Sequence, residues 1–403
     1  MPYMSLVIIG HVDHGKSTLI GRLLLDTGSL PLSVRSKYGD GSGENLAHIA
    51  DHFKEERDQG ITIDSTQFFF HTPERRYVII DAPGHRELLR NMITGAAHAH
   101  AAVLLIDARE GLRDQTRRHV HLLSLMGIKQ VVVLINKMDL ISWNSGRFEA
   151  LKGEILGFMK KKEITPAAVL PISALNGENV AVRSARKGWS DYPCLLEQLQ
   201  YFTPQLPETM DVRLAIQDCY DFVGDIPVYV GRVESGILKA GERYVLNPAG
   251  ETVRVIAIKH FGQEDASEAG WGESVAVTLE IPPGCRAGRG SVLSNSVRPH
   301  TGKELTANVF WIAPFEGRVG DSFNFKCVTQ EVACVVKGIS HRYDPGLEQE
   351  LGGDADSISE SEVANMALTL EADASFDTFS DFPATGRFVL EKDGYIAAAG
   401  AVI

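Results

Sequence analysis

The sequence predicts an α/β domain with a mostly parallel, doubly wound sheet, followed by two all-β barrel domains. In the N-terminal half, short apolar runs alternate with helical patterns, as in parallel sheets that carry helices on both faces. A glycine-rich loop joins the first of these runs to a helix. Beyond Pro204 the pattern changes to short alternating strands with glycine turns, which is typical of barrels or sandwiches. We therefore place the domains at residues 1–205, 206–297 and 298–403.

The composition is that of an ordinary globular protein. The chain has 403 residues, of which 44% are hydrophobic and 23% charged, enough for two or three domains. No segment reaches the roughly 18 uninterrupted apolar residues of a membrane span, and Met1–Leu6 is too short for a signal peptide. We expect a cytoplasmic protein that has no membrane partner. The net charge of -12 disfavours a broad nucleic-acid-binding surface, although it leaves room for a local basic patch.

The cysteines predict no disulfide framework and no zinc site. They are scattered and form no C-x-x-C pair: Cys194, Cys219, Cys285, Cys327 and Cys334. We expect buried thiols in a reducing compartment.

The glycine-rich loop has the pattern G-x-x-x-x-G-K-S, between an apolar strand at Leu6–Ile9 and a helix over Ser17–Asp26. In such a loop backbone N–H groups converge on phosphate oxygens, and the helix N-terminus adds partial positive charge. Lys16 is expected to reach the β and γ phosphates, and the Ser17 hydroxyl to bind Mg²⁺. The predicted phosphate-binding residues are Gly10, His11, Val12, Asp13, His14, Gly15, Lys16, Ser17 and Thr18.

The other predicted strands of this half also end at polar residues. Asp81, Asp107, Asn136 and Ser173 each follow an apolar run directly. Ligands of open parallel sheets bind at the carboxyl ends of the strands, so these side chains are candidates for one site. Asp107 has an alternative role as a helix or loop cap that needs no ligand.

Asp81-Ala82-Pro83-Gly84-His85 matches the D-x-x-G pattern of GTPases. Asp81 is expected to hold Mg²⁺ through water, and Gly84 to turn its N–H toward a γ-phosphate and release it after hydrolysis. His85 is in position to orient the attacking water. The alternative for His85 is a surface histidine after a turn.

Thr62 is the candidate switch threonine, within Gly60-Ile61-Thr62-Ile63-Asp64. Its hydroxyl or carbonyl would complete the Mg²⁺ shell only when a γ-phosphate is present. Taken alone, this segment reads equally well as the start of a strand, and its position between Ser17 and Asp81 favours the switch.

Asn136-Lys137-Met138-Asp139 predicts guanine as the base. The Asp139 carboxylate accepts hydrogen bonds from N1–H and the 2-amino group of guanine, whereas adenine would leave it unpaired. Asn136 is expected to brace the neighbouring loops, and the Lys137 stem to cover the base. A backbone N–H in Ser173-Ala174-Leu175 would meet the guanine carbonyl oxygen. The predicted ligands are GTP or GDP with Mg²⁺.

Together these motifs resemble those of the translation-factor class of P-loop GTPases, which contains elongation factors Tu and 1A. The resemblance covers residues 5 to about 200 and rests on Gly10–Ser17, Glu56–Asp64 and Asp81–His85. It implies that His85 is the catalytic histidine and that two apolar residues, Val12 and Ile61, gate its approach to the water. It also implies that two β-barrel domains follow. The predicted catalytic residues are His85, Lys16 and Thr62.

Within this class, several stretches are more similar to the GTPase subunit of bacterial sulfate adenylyltransferase. They are Ser17–Thr27, Ile106–Gly111, Asp114–His119 and Ser173–Val180, together with the ending Ala384–Leu390. This similarity implies a smaller partner subunit that makes adenylyl sulfate from ATP and sulfate, driven by GTP hydrolysis on this chain. The loop residues His11–His14 instead resemble those of elongation factors. Our first hypothesis is the sulfate adenylyltransferase subunit, and the alternative is a translation factor that delivers aminoacyl-tRNA to the ribosome.

Overall fold

A computed structural model of the chain describes residues 3–30, 46–49, 66–81, 99–203, 210–220, 227–260, 262 and 265–403. The chain divides into two compact units, Met1–Pro204 with Pro345–Glu348, and Gln205–Asp344 with Gln349–Ile403. The borders of the three domains at residues 205 and 297 remain predictions.

The first unit is built on a six-stranded sheet. Its strands are β1 (Met4–Gly10), β2 (Thr66–His71), β3 (Arg76–Asp81), β4 (Ala101–Asp107), β5 (Val131–Asn136) and β6 (Ala168–Pro171). They lie in the order β2-β3-β1-β4-β5-β6, in which β2 and β3 are antiparallel and every other pair is parallel. The sheet is therefore mostly parallel, as predicted.

The helices that accompany this sheet include α1 (Lys16–Asp26), α2 (Asp114–Leu125), α3 (Ser145–Lys161) and α4 (Leu195–Gln200). Every residue of β4 and of β5 is buried, which is why these strands are continuous apolar runs with no polar face. Helix α1 buries Leu19, Ile20, Leu23 and Leu24 at helical spacing. It ends at Asp26, as the sequence predicts, and is followed by the cap residue Thr27 and by Gly28 in the left-handed conformation.

The first barrel lies in the second unit. Its strands are β7 (Arg213–Tyr220), β8 (Val228–Ser235), β9 (Ile237–Lys239), β10 (Arg243–Asn247), β11 (Glu251–Lys259), β12 (Asp265–Ala266), β13 (Glu268–Gly270), β14 (Ser274–Glu280) and β15 (Val292–Ser294). Six of them follow one another in the order β10-β15-β7-β8-β14-β11, and β11 pairs back with β10. This return pairing closes the sheet and leaves β12 at its edge.

The second barrel has the same closed architecture. Its strands are β16 (His300–Trp311), β17 (Gly317–Arg318), β18 (Ser322–Cys327), β19 (Gln330–Asp344), β20 (Gln349–Gly352), β21 (Ser357–Ile358), β22 (Val363–Phe376), β23 (Arg387–Lys392) and β24 (Tyr395–Val402). The closed order is β18-β23-β24-β16-β22-β19, and β19 pairs back with β18. Both barrels are six-stranded and antiparallel, which confirms the predicted fold class.

A buried ion pair joins the two barrels. The Arg213 Nε and guanidinium NH2 groups donate to the two carboxylate oxygens of Asp377 at 2.9 and 2.7 Å. The Asp377 carboxylate also accepts from the Thr385 hydroxyl at 2.5 Å. The remaining guanidinium nitrogen of Arg213 donates to the Val212 and Val297 carbonyls. Every charged atom of this pair therefore has hydrogen-bond partners although both side chains are buried.

Two further expectations can be compared with the fold. Cys194, Cys327 and Cys334 are buried, as expected, but Cys219 and Cys285 are half-buried, so the expectation of buried thiols is wrong for those two. Among the helices of the described residues, none has the length and apolar character needed to cross a membrane.

Candidate functional site

The candidate site lies at the carboxyl edge of the first sheet. Strand β1 lies between β3 and β4, so the chain turns to one side of β1 for β2 and β3 and to the other for β4, β5 and β6. Such a reversal of strand order opens a crevice at the carboxyl ends of the strands. The loop after β1 leads from this position into α1, and the loops after β4, β5 and β6 begin at the same edge.

The loop after β1 has the backbone of a phosphate cradle. Gly15 caps α1 in the left-handed conformation (φ 97°), and Asp13 is also left-handed (φ 62°). A Cβ at Gly15 would lie 2.5 Å from the Asn136 side-chain nitrogen, so only glycine fits there. The Lys16 ammonium donates to the Gly10 and His11 carbonyls at 2.8 and 3.0 Å. The loop thus holds a cation at the N-terminus of a helix, where an anion is favoured.

The outer residues of the loop differ in exposure. Val12, the predicted gate residue, is 57% exposed. Ser17 and Thr18 are half-buried in the first turn of α1. The partner of the gate, Ile61, lies outside the described residues.

The His14 side chain packs against the end of β4. Its imidazole is fully buried, with Nδ1 3.2 Å from the Leu105 carbonyl oxygen and 3.3 Å from the Asp107 backbone nitrogen. Nε2 lies 3.6 Å from the Glu110 carboxylate. Burial lowers the pKa of His14. Any contact of His14 with a nucleotide therefore falls to its backbone. His11 is half-buried, and its Nδ1 is hydrogen-bonded to the Gln115 side chain of α2.

Asn136, at the end of β5, connects two loops of the site. Its side chain is buried, and its Nδ2 donates to the His14 carbonyl at 2.9 Å. Its Oδ1 accepts from the Ala174 N–H at 3.0 Å. Asn136 therefore ties the cradle to the loop after β6, which is the bracing that the sequence suggested.

Lys137 forms an ion pair with Asp107. The Lys137 ammonium lies 2.9 Å from an Asp107 carboxylate oxygen and also donates to the Asp13 carbonyl. Asp107 is fully buried and accepts further hydrogen bonds from the Arg109 guanidinium and backbone N–H. Burial opposes ionisation of Asp107, but the hydrogen bonds from Arg109 and Lys137 outweigh it and hold its pKa well below the ordinary range. Asp107 is thus an internal anchor rather than a ligand-binding group.

Asp139 differs from the other carboxylates of this edge. It lies in the short 3₁₀ turn Met138–Ile141, and its Oδ1 is buried without a hydrogen-bond partner in the described part of the chain. A buried acceptor without a donor is costly, so this oxygen suits a ligand that brings an N–H group. Guanine offers such donors at N1 and at its 2-amino group.

The loop after β6 completes the edge. Ser173 is buried, and its hydroxyl accepts from the Asn176 N–H at 3.3 Å. Leu175 exposes 44% of its surface, where it can face a flat base. Arg22, from α1, donates to the Ala174 and Leu175 carbonyls. Sequence reasoning missed Arg22 because no local pattern links residues 152 positions apart.

Several predicted residues fall outside this description. Thr62, Gly84 and His85 lie outside the described residues, and for Asp81 the structure shows only that its backbone ends β3. Within the described ranges, no three His, Cys, Asp or Glu side chains cluster as a metal site. The Mg²⁺ set of Ser17, Thr62 and Asp81 therefore remains a prediction.

Comparisons with known proteins find relatives that align with the whole chain. Residues 1–216 match the family model of the elongation factor Tu GTP binding domain, and residues 304–403 match the GTP-eEF1A C-terminal domain-like model. Elongation factor 1-alpha of Pyrococcus furiosus is 36% identical over 421 aligned positions, which cover 100% of this chain and 97% of that protein. Elongation factor 1-alpha of Methanocorpusculum labreanum is 34% identical over 413 positions, with the same coverage.

A crystal structure of Sup35 complexed with GDP is also similar, at 23% identity and a TM-score of 0.46, covering 100% of this chain and 93% of that one. This similarity is too low to support a functional argument.

Proposed function

Since the chain belongs to the family of the elongation factor Tu GTP-binding domain, we propose that it is a translation GTPase that carries aminoacyl-tRNA in its GTP-bound state. The family membership makes it a GTP-binding protein of the translation-factor type. The finer proposal is supported by full-length relatives named elongation factor 1-alpha and by the elongation-factor-like residues His11–His14.

The comparisons favour this proposal over the sulfate adenylyltransferase hypothesis. That hypothesis rests on motifs in the first 200 residues and on the chain ending, whereas the elongation factors match over 97% of their own length. The proposed nucleic-acid partner also requires only local contacts, which a net charge of -12 permits.

One observation carries the nucleotide assignment, namely the buried Asp139 Oδ1, which has no donor among the residues that the structure describes. A guanine would satisfy it with two N–H groups, and an adenine would not. The cradle of Gly15 and Lys16 would hold the phosphates, and the Lys137 stem and Leu175 would cover the faces of the base. The same residues fit GTP and GDP, so the choice between the two nucleotides falls to residues that touch the γ-phosphate.

Magnesium would be held by the Ser17 hydroxyl, Thr62 and, through water, Asp81. When bound, it would neutralise charge on the β and γ phosphates. His85 is proposed to orient the attacking water, with Val12 and Ile61 controlling its approach. Thr62 and Gly84 are proposed to hold their loops in one conformation with GTP and to release them with GDP.

The proposal is tested by loading the full chain with GDP or with a non-hydrolysable GTP analogue and measuring deacylation of aminoacyl-tRNA. We expect the analogue form to bind aminoacyl-tRNA about 5-fold or more tightly than the GDP form, and to slow deacylation accordingly. Uncharged tRNA is the control ligand. Equal deacylation rates with both nucleotides would contradict the proposal, and adenylyl sulfate formed with an added small nucleotidyltransferase subunit only when GTP is present would favour the other hypothesis.

A further inference from the structure

Arg22 reaches from the phosphate helix to the base loop. Arg22 lies on the second turn of α1, the helix that begins at the cradle, and its side chain is only 12% exposed. Nε donates to the Ala174 carbonyl at 3.3 Å, and a terminal nitrogen donates to the Leu175 carbonyl at 2.5 Å. One rigid guanidinium therefore holds two successive carbonyls of the loop after β6.

Of these two residues, Ala174 is fully buried, whereas residue 175 has few other restraints in the described part of the chain. Asn136 accepts the Ala174 N–H, but the Leu175 side chain is 44% exposed, so packing does not hold residue 175 in place. Gly177 is left-handed (φ 75°), and a Cβ there would lie 3.4 Å from the Arg22 side chain. The backbone at residues 174 and 175 is thus positioned by Asn136 on one side and by Arg22 on the other.

We propose that Arg22 is a positioning residue for guanine recognition, because it fixes residues 174–175 so that a backbone N–H there meets the O6 oxygen of guanine. This inference rests on the proposed function, in which the loop after β6 faces the guanine carbonyl. Arg22 itself touches neither the base nor the phosphates. A hydrogen bond to O6 requires placement of the donor within a few tenths of an ångström, which the exposed residue 175 does not keep without such support.

The ion pair of Arg22 with Asp26 provides a matched control. These residues are four apart on α1, and their closest atoms are 3.4 Å apart. Asp26→Asn removes this pairing and leaves both carbonyl contacts of Arg22 in place. Ion pairs between residues four apart on a helix contribute little to stability, so the control variant should keep the parent affinities.

The experiment measures dissociation constants of the full chain for GDP, 6-thio-GDP and IDP. Sulfur at position 6 is a weaker acceptor than oxygen, so 6-thio-GDP reports the loop N–H, whereas IDP lacks the 2-amino group and reports Asp139. We expect Arg22→Met to weaken GDP binding about 10-fold and to bring the Kd ratio of 6-thio-GDP to GDP close to one. The Kd ratio of IDP to GDP should stay at its parent value, because Asp139 is untouched.

Each outcome has a distinct meaning. If the parent binds GDP but Arg22→Met leaves the 6-thio ratio unchanged, or weakens all three ligands equally, Arg22 does not position the loop. A parent chain that does not bind GDP would contradict the proposed function itself. Should Arg22→Met fail to fold, Arg22→Lys gives the same test. The lysine ammonium lacks the planar pair of donors that holds both carbonyls, so the Kd ratio of 6-thio-GDP to GDP should again fall.

Discussion

Asp377 in the barrels and Asp139 at the edge of the first sheet have opposite surroundings, although both carry carboxylate oxygens withdrawn from water. Asp377 accepts three hydrogen bonds, two from Arg213 and one from Thr385. Asp139 keeps one buried oxygen without a donor in the described part of the chain. The first arrangement is complete within the protein, whereas the second leaves one oxygen without a donor among the described residues, and we propose that guanine supplies that donor. A buried carboxylate is therefore informative about function when its donors are missing.

The largest effect is expected when Asp377 loses its hydrogen-bond donors. Arg213→Met removes both guanidinium donors and leaves a buried charge with the Thr385 hydroxyl alone. We expect the free energy of unfolding of the second unit to fall by about 3 to 5 kcal/mol. The measurement is urea denaturation followed by the fluorescence of Trp311, which is buried in the second barrel.

The control for that variant is Arg318→Met, which removes an exposed pair with Glu316 and should change stability by less than about 0.5 kcal/mol. The double variant Arg213→Met with Asp377→Leu should recover part of the loss, because no unpaired charge remains. If the free energy of unfolding of Arg213→Met fell by less than about 1 kcal/mol, the Asp377 carboxylate would not depend on the guanidinium donors of Arg213.

An intermediate effect is expected at Asp139, and it should appear in ligand choice rather than stability. In Asp139→Asn the amide donates to the 2-oxo group of xanthine, so preference should move from GTP toward xanthosine triphosphate by roughly 10- to 100-fold. Without nucleotide, the free energy of unfolding should not fall, because the substitution removes a charge that lacks a donor. Affinities for both nucleotides are measured, with the exposed Asp191→Asn as the control. Unchanged preference for GTP would remove Asp139 from the base site.

The smallest effect is expected at the half-buried His121 of α2. Burial, with a smaller contribution from the positive charge of Lys162, lowers its pKa from 6.5 to about 4. Between these values the unfolded chain binds more protons than the folded one, so stability rises with pH across this window. Acidification from pH 6.5 to about pH 5 should therefore lower the free energy of unfolding of the first unit by about 1 to 2 kcal/mol through this group.

His121→Asn should remove that part of the pH dependence, whereas replacement of the exposed His71 should not. The measurement is hydrogen–deuterium pulse labelling of residues 114–125 along a urea series at both pH values. Equal slopes with pH for the parent and His121→Asn would refute the assignment to His121.

Much of the first unit could be predicted from local patterns. The runs at Leu6–Ile9, Val103–Ile106 and Val131–Ile135 lie within β1, β4 and β5 because a strand buried on both faces must be apolar at every position. The helix predicted at Ser17–Asp26 begins one residue earlier, at Lys16. At the candidate site, the motif spacing identified Asn136 as a brace, because strands that run parallel bring their ends to one edge.

The contacts that tertiary structure decided join residues far apart in sequence. The burial of His14 under the cradle, the anchoring of Lys137 by Asp107, the reach of Arg22 to residues 174–175 and the pairing of Arg213 with Asp377 have no local signature. Periodicity and motif spacing are properties of neighbouring residues, so they determine strands, helices and the loop that cradles phosphate. Which charge meets which donor depends on how those elements pack, and only the folded chain shows that the buried Asp139 Oδ1 has no donor among the described residues.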